Sequence, residues 1–135
     1  MNMQLLELLP VPDLERALQG WLAKERACVA NVIAYLGELD ARQLYREVGF
    51  ESMEEFCVHG LNRDEDEVPR EISVARAARE FPSLFPAIED GRLTLEAVAL
   101  LVPHLTAETV DEWIAAATHR SESEIISLLT EKAAG

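Results

Sequence analysis

Residues 13–39 read DLERALQGWLAKERACVANVIAYLGEL. Within them Leu14, Leu18, Trp21, Leu22, Val29, Val32, Ile33, Leu36 and Leu39 recur at steps of three and four. That spacing predicts one long helix with a single broad apolar stripe facing a core. Pro10 and Pro12 break the apolar opening Met1 to Leu9, and Asp13 is placed to cap the helix that follows. Gly20 weakens its middle by about 1 kcal/mol relative to alanine without ending it.

Working outward, Asp40 opens a short helix with Ala41, Leu44, Tyr45 and Val48 on one face, and Gly49 stops it. Ser52 and Glu55 have capping-box spacing, with Met53, Phe56, Cys57 and Leu61 turned inward and Gly60 as the stop. Residues 62–69 form a polar turn. Pro69 starts a helix to Glu80 with Ile72, Ala75 and Ala78 inside, and Phe81-Pro82 ends it. A helix over residues 83–90 stops at Gly91. Thr94 caps a helix from Leu95 to Leu101, which ends near Pro103. Thr106 caps a helix that buries Val110, Trp113, Ile114 and Ala117. Ser121 and Glu124 form a second capping box ahead of Ile125, Leu128 and Leu129.

No segment alternates with period two between turn signals, which argues against strands. The expectation is therefore all-α: a single compact multi-helix domain of about eight helices with a helix-turn-helix-like core. Residues 1–12 form an N-terminal arm. Residues 13–61 hold the long helix and two short ones, and residues 62–135 hold the helix-turn-helix-like and C-terminal helices.

A chain of 135 residues, 49% hydrophobic, is long enough to bury a core without staples. Its formal net charge is −13, and the acidic excess runs through every segment. Such a field repels phosphate backbones and favours solubility or a basic partner. Cys28 and Cys57 fall in apolar helical patterns and are expected to be buried hydrophobes of a reduced, cytoplasmic chain. Neither a signal peptide nor a stretch of ~20 apolar residues stands out, so no membrane partner is expected.

The chemistry-bearing residues do not converge in sequence. His59, His104 and His119 stand singly, without ligand spacing. Neither cysteine has a neighbouring base, and no nucleophile elbow or phosphate-binding glycine loop is present. No catalytic, cofactor-binding or metal-binding residue is assigned, and the chain is expected not to be an enzyme. The run Asp64, Glu65, Asp66, Glu67 lacks the spacing of a calcium loop and suits a helix start. Arg63, Arg70, Arg76 and Arg79 cluster around the following helix, and the last three can share much of one side of it. Two readings compete there. The arginines pair with nearby acids such as Glu67, Glu71 and Glu80, or they contact nucleic acid. The acid-rich surroundings favour the first.

The order of motifs carries a resemblance. Residues 39–45 (LDARQLY), 49–58 (GFESMEEFCV), 72–82 (ISVARAAREFP) and 91–106 (GRLTLEAVALLVPHLT) resemble the helical region that precedes the nuclease domain in bacterial HNH-endonuclease-like proteins. More distantly the same stretch is similar to the helix-turn-helix region of ParB-like partition proteins. That similarity implies a motif whose second arm, with Arg70, Arg76 and Arg79, is a recognition helix. No His-Asn-His constellation follows the matched region, so nuclease activity does not carry over. Where the related sequences have a Leu-Gly-Leu-Ser-like turn, this chain has Leu61-Asn62-Arg63-Asp64 and further acids.

Residues and resemblance together predict a non-catalytic acidic interaction module that binds a protein partner, itself basic or nucleic-acid-associated. Its expected contact residues are Asp64, Glu65, Asp66 and Glu67, with Arg70, Tyr45 and Phe50 as anchors. One alternative is a helix-turn-helix DNA-binding regulator using Arg63, Arg70, Arg76 and Arg79. Another is an accessory part or inhibitor of a nuclease or toxin system. A homodimer through the leucines of the N-terminal arm is a further expectation.

Overall fold

The computed structural model describes residues 3–134, which hold nine α-helical segments and no strand. The expected all-α single domain is what forms, with one helix more than the sequence spacing suggests. Helix α1 is Met3–Glu7, and α2 runs from Val11 to Arg42. At 1.5 Å per residue α2 is about 48 Å long. It starts three residues earlier than a cap at Asp13 implies. Pro10 occupies the N-cap, and Asp13 lies in the first turn, bonded to Arg16 at 3.2 Å instead of capping.

Helix α2 also runs past the expected break, because Asp40 to Arg42 continue it. Gln43, at φ 55°, supplies the left-handed stop before α3, Leu44–Glu47. Gly49, at φ 92°, then turns the chain toward Ser52. Ser52 Oγ accepts the Glu55 amide at 3.1 Å, while the Glu55 carboxylate accepts the amide of Glu51 at 3.2 Å, one residue earlier than in a strict capping box.

Helix α4, Met53–Glu55, widens into a π-helical turn over Phe56–Gly60. The Leu61 amide donates to the Phe56 carbonyl at 2.9 Å, a five-residue step. The rings of Phe50 and Phe56 meet at a tilt of 59°, centres 5.6 Å apart, beside Gly60, where an added Cβ would fall 2.8 Å from the Phe56 ring. The missing side chain of Gly60 is thus what admits both rings.

Helix α5, Val68–Glu80, is the hub. Val68, Glu71, Ile72, Val74, Ala75, Ala77 and Ala78 are buried, which leaves only a narrow outer strip. A helix buried over most of its circumference is one that others enclose, although Arg70, Glu71, Ser73, Arg76, Arg79 and Glu80 make its sequence polar. Helix α2 packs on it and on α6, Leu84–Glu89, while α7, Leu95–Leu101, covers another side. A 3₁₀ turn, Val102–His104, leads to α8, Val110–Ala117, and then to α9, Glu122–Ala134, which packs on α7. Thr94 caps α7 through the Ala97 amide at 3.1 Å, and Ser121 with Glu124 forms the reciprocal capping box of α9. Thr106 bonds the Thr109 amide at 3.2 Å, so it closes the turn before α8, whose own N-cap is Thr109.

The core gathers Ile33 and Leu36 of α2, Met53, Cys57, the α5 residues, Leu84, Ile88, Leu93, Val98, Leu101, Trp113 and Ile125. Two expectations about α2 fail here. Leu14, Leu18, Trp21 and Val32 are exposed, not inward, and Cys28 is exposed while Cys57 is buried. The physical reason is twofold. The α6 end and Gly91 first meet α2 near Ala23 and Arg26, and full burial begins only at Ala30. Beyond that point the covering helices take one face of α2 and leave Val32 and Tyr35 outside. No helix among the described residues is long and apolar enough to cross a membrane.

Candidate functional site

The acidic turn is built by the end of the π-helical segment. Asn62 takes a left-handed φ of 56°, and the Arg63 amide donates to the Cys57 carbonyl at 2.9 Å. Asp64 Oδ1 accepts the Asp66 amide at 2.8 Å, and the Asp64 carbonyl accepts the amides of Glu67 and Val68. Asp64, Glu65, Asp66 and Glu67 are all exposed at the start of α5, as expected of acids at a helix N-terminus. Among the described residues no group of three or more His, Cys, Asp or Glu side chains is arranged to hold a metal ion.

The four arginines that flank this turn are each engaged with a carboxylate. Arg63 forks onto Glu71, with Nε 3.2 Å from Oε1. Glu71 is only 6% exposed, and its hydrogen bond raises the Arg63 pKa further. Arg70 bonds Glu67 at 2.7 Å and Glu96 at 3.2 Å. Arg76 makes two bonds of 2.9 Å to Asp40, and Arg79 pairs with Glu38, which also accepts Arg42 at 2.8 Å. Those bonds, Arg79 first and Arg42 second, hold the Glu38 carboxyl below its usual range.

The expected common side for Arg70, Arg76 and Arg79 does not form. Arg70 turns toward α7, while Arg76 and Arg79 turn toward acids of α2. What α5 leaves exposed is Pro69, Arg76, Arg79 and Glu80, flanked by half-buried Ser73. A positive charge neutralised by a bidentate carboxylate contributes little to a phosphate-attracting field.

The aromatic anchors expected beside the turn are also occupied. Phe50 is half-buried against Phe56. Tyr45 is half-buried, with the Arg46 guanidinium 6.0 Å from its ring centre.

The exposed apolar surface lies elsewhere, along one edge of α2. Val11, Leu14, Leu18, Trp21, Glu25, Cys28, Val32 and Tyr35 follow one another at strictly alternating steps of three and four, and every one is exposed. Trp21 is 61% and Tyr35 74% exposed. This is the spacing of a coiled-coil seam, with Val11, Leu18, Glu25 and Val32 in one heptad row and Leu14, Trp21, Cys28 and Tyr35 in the other. Leu5 and Leu8 of α1 and its following turn extend the apolar exposure. At the other end, Cys28 and Val32 line a shallow groove with Leu95, Arg63 and Glu71, so the seam abuts the acidic turn.

The seam was readable in principle. Its 3-4 repeat is intact from Val11 to Tyr35, but it overlaps the inward set Leu22, Val29, Ile33 and Leu36, and the two sets together read as one broad stripe. The chain matches no protein-family model, no curated protein and no solved structure with which it was compared.

Proposed function

We propose that this protein is a non-catalytic acidic helical interaction module that binds a protein partner in the cytoplasm. We read it as a relative of the helical region associated with HNH-endonuclease-like proteins. The observation that carries the reading is the exposed seam on α2. An apolar stripe of this length, rimmed by charge, is the kind of surface that marks a protein contact. A second observation agrees with it: Arg63, Arg70, Arg76 and Arg79 are committed to carboxylates. Those arginines serve the fold and leave the whole-chain charge of −13 unopposed. The acidic turn next to the seam gives a basic partner a secondary contact.

A fluorescence anisotropy titration with mixed-sequence duplex DNA at low salt tests the reading. The expected result is no binding where electrostatic attraction is strongest. Salt-steep binding that disappears on Arg76→Ala would establish the helix-turn-helix regulator instead. Acrylamide quenching adds a positive arm. Trp21 is exposed and Trp113 buried, so a partner seated on the seam shields the one readily quenched indole.

A further inference from the structure

The geometry points to a second copy of this chain as the occupant of the α2 seam, docked antiparallel along it. This deepens the interaction-module reading and rests on it. The inference starts from the free-standing part of α2. Residues 11–22 project beyond the helices that cover the rest, and Gly20 sits among them. An isolated helix of that length is marginal in water, so its order depends on packing against something. The seam is also long enough for the purpose. Trp21 and Tyr35 each present on the order of 150 Å² of exposed surface. With the remaining seam positions, two copies together approach the ~1,200–2,000 Å² of a standard interface.

The direction follows from the one charged position in the seam. A parallel pair would set Glu25 against the Glu25 of the other copy, in the apolar contact, where like charges repel most strongly. An antiparallel pair is isologous about a two-fold axis near residue 23, so positions summing to 46 face each other. Glu25 then meets Trp21 of the other copy. The Lys24 ammonium sits over that Trp21 ring, 4.4 Å from its centre, so the carboxylate finds a counter-charge. The same register sets Leu18 against Cys28 and Leu14 against Val32. It thereby lays the projecting end of each α2 over the groove of the other copy beside Leu95. The polar residue in the seam thus selects the register, as buried polar positions do in coiled coils.

Sedimentation equilibrium of the full chain is the primary experiment, supported by cross-linking. The expected mass is about twice the 15.1 kDa of one chain. Because two chains of charge −13 repel, association strengthens between 0.1 and 0.5 M NaCl, the opposite of binding to a basic partner. Leu18→Glu sediments as a monomer with its core intact, read as a Trp113 still shielded from acrylamide, since Leu18 is 55% exposed and outside the core. Glu25→Leu tightens the dimer by roughly tenfold or more. With copper phenanthroline as oxidant, Leu18→Cys gives a disulfide-linked dimer and the unmodified chain does not. A linked dimer of the unmodified chain through Cys28 places the helices parallel and overturns the arrangement. A chain that stays monomeric at millimolar concentration overturns self-association. A photo-crosslinker at position 18 then tells the two levels apart. An adduct with a different protein in bacterial cells keeps the interaction module and removes the self-pair, whereas the absence of any adduct removes both.

Discussion

Arg63 reaches back across the acidic turn and forks onto Glu71, a carboxylate buried on the hub helix α5. The ion pair fastens the turn to the core and uses an arginine that the sequence offered as a phosphate contact. Removing Arg63 leaves a buried carboxylate without its counter-charge. Arg63→Ala is expected to lower stability by about 2–3 kcal/mol, toward the lower end for buried pairs because Arg63 itself is half-exposed. Urea denaturation measures it. A loss below about 0.5 kcal/mol, the range of ordinary surface changes, would make the pair incidental.

Helix α2 crosses α5 at Gly37, where an added Cβ would lie 3.1 Å from the carbonyl oxygen of Ala75. Helix propensity favours alanine over glycine by about 1 kcal/mol, but the obstructing atom is backbone of the most enclosed helix. Gly37→Ala should therefore bring no gain in stability. Gly37→Leu should lose about 3 kcal/mol by overpacking. Thermal unfolding of both variants checks the pair, and a stabilised Gly37→Leu would show that the crossing is loose.

The two thiols differ in reach and in chemistry. Burial, with Glu71 and Glu54 adding to it, pushes the Cys57 thiol above its ordinary pKa, while Cys28 lies exposed on the seam. In the monomeric Leu18→Glu variant at neutral pH, one equivalent of thiol should react quickly with an aromatic disulfide reagent and the second only on unfolding, whereas pairing along the seam slows the first. Cys28→Ser should abolish the fast phase. Two fast thiols in the folded chain would contradict the packing around Met53 and Cys57.

Glu38 and Glu124 both have depressed carboxyl pKa values, Glu38 through Arg79 and Arg42, Glu124 through the Ser121 amide and hydroxyl and then Arg120. A lowered folded pKa stabilises the fold above the unfolded value of about 4.3 and the effect is lost as pH falls through the folded value. Stability should thus hold from neutrality down to about pH 5 and decline below it through these groups. Arg79→Ala should return the Glu38 titration toward the ordinary range, as followed by carboxyl NMR shifts. An unchanged Glu38 titration would show that the ion pair does not persist in solution.

Local signals in the sequence were sufficient for the helices and most of their ends. Thr94, Ser121 with Glu124, Gly49 and Gly91 act where their chemistry places them, because a cap or a left-handed turn is satisfied by atoms within four residues. The all-α class followed from periodicity for the same reason. The Asp64 to Glu67 turn was likewise legible, since acids at a helix start answer to the helix itself.

Questions of partnership were decided only by the tertiary structure. The sequence could not say whether Arg76 meets Asp40 or a phosphate, because 36 residues separate the pair and only the α2–α5 crossing joins them. Nor could it divide the apolar residues of α2 into those that meet α5 and those that meet nothing. Ile33, 1% exposed, and Trp21, 61% exposed, both belong to the apolar pattern of α2. They stand ~120° apart around the helix at about 100° per residue. Hydrophobic periodicity records that apolar residues fill a broad arc, not which part of that arc the covering helices take.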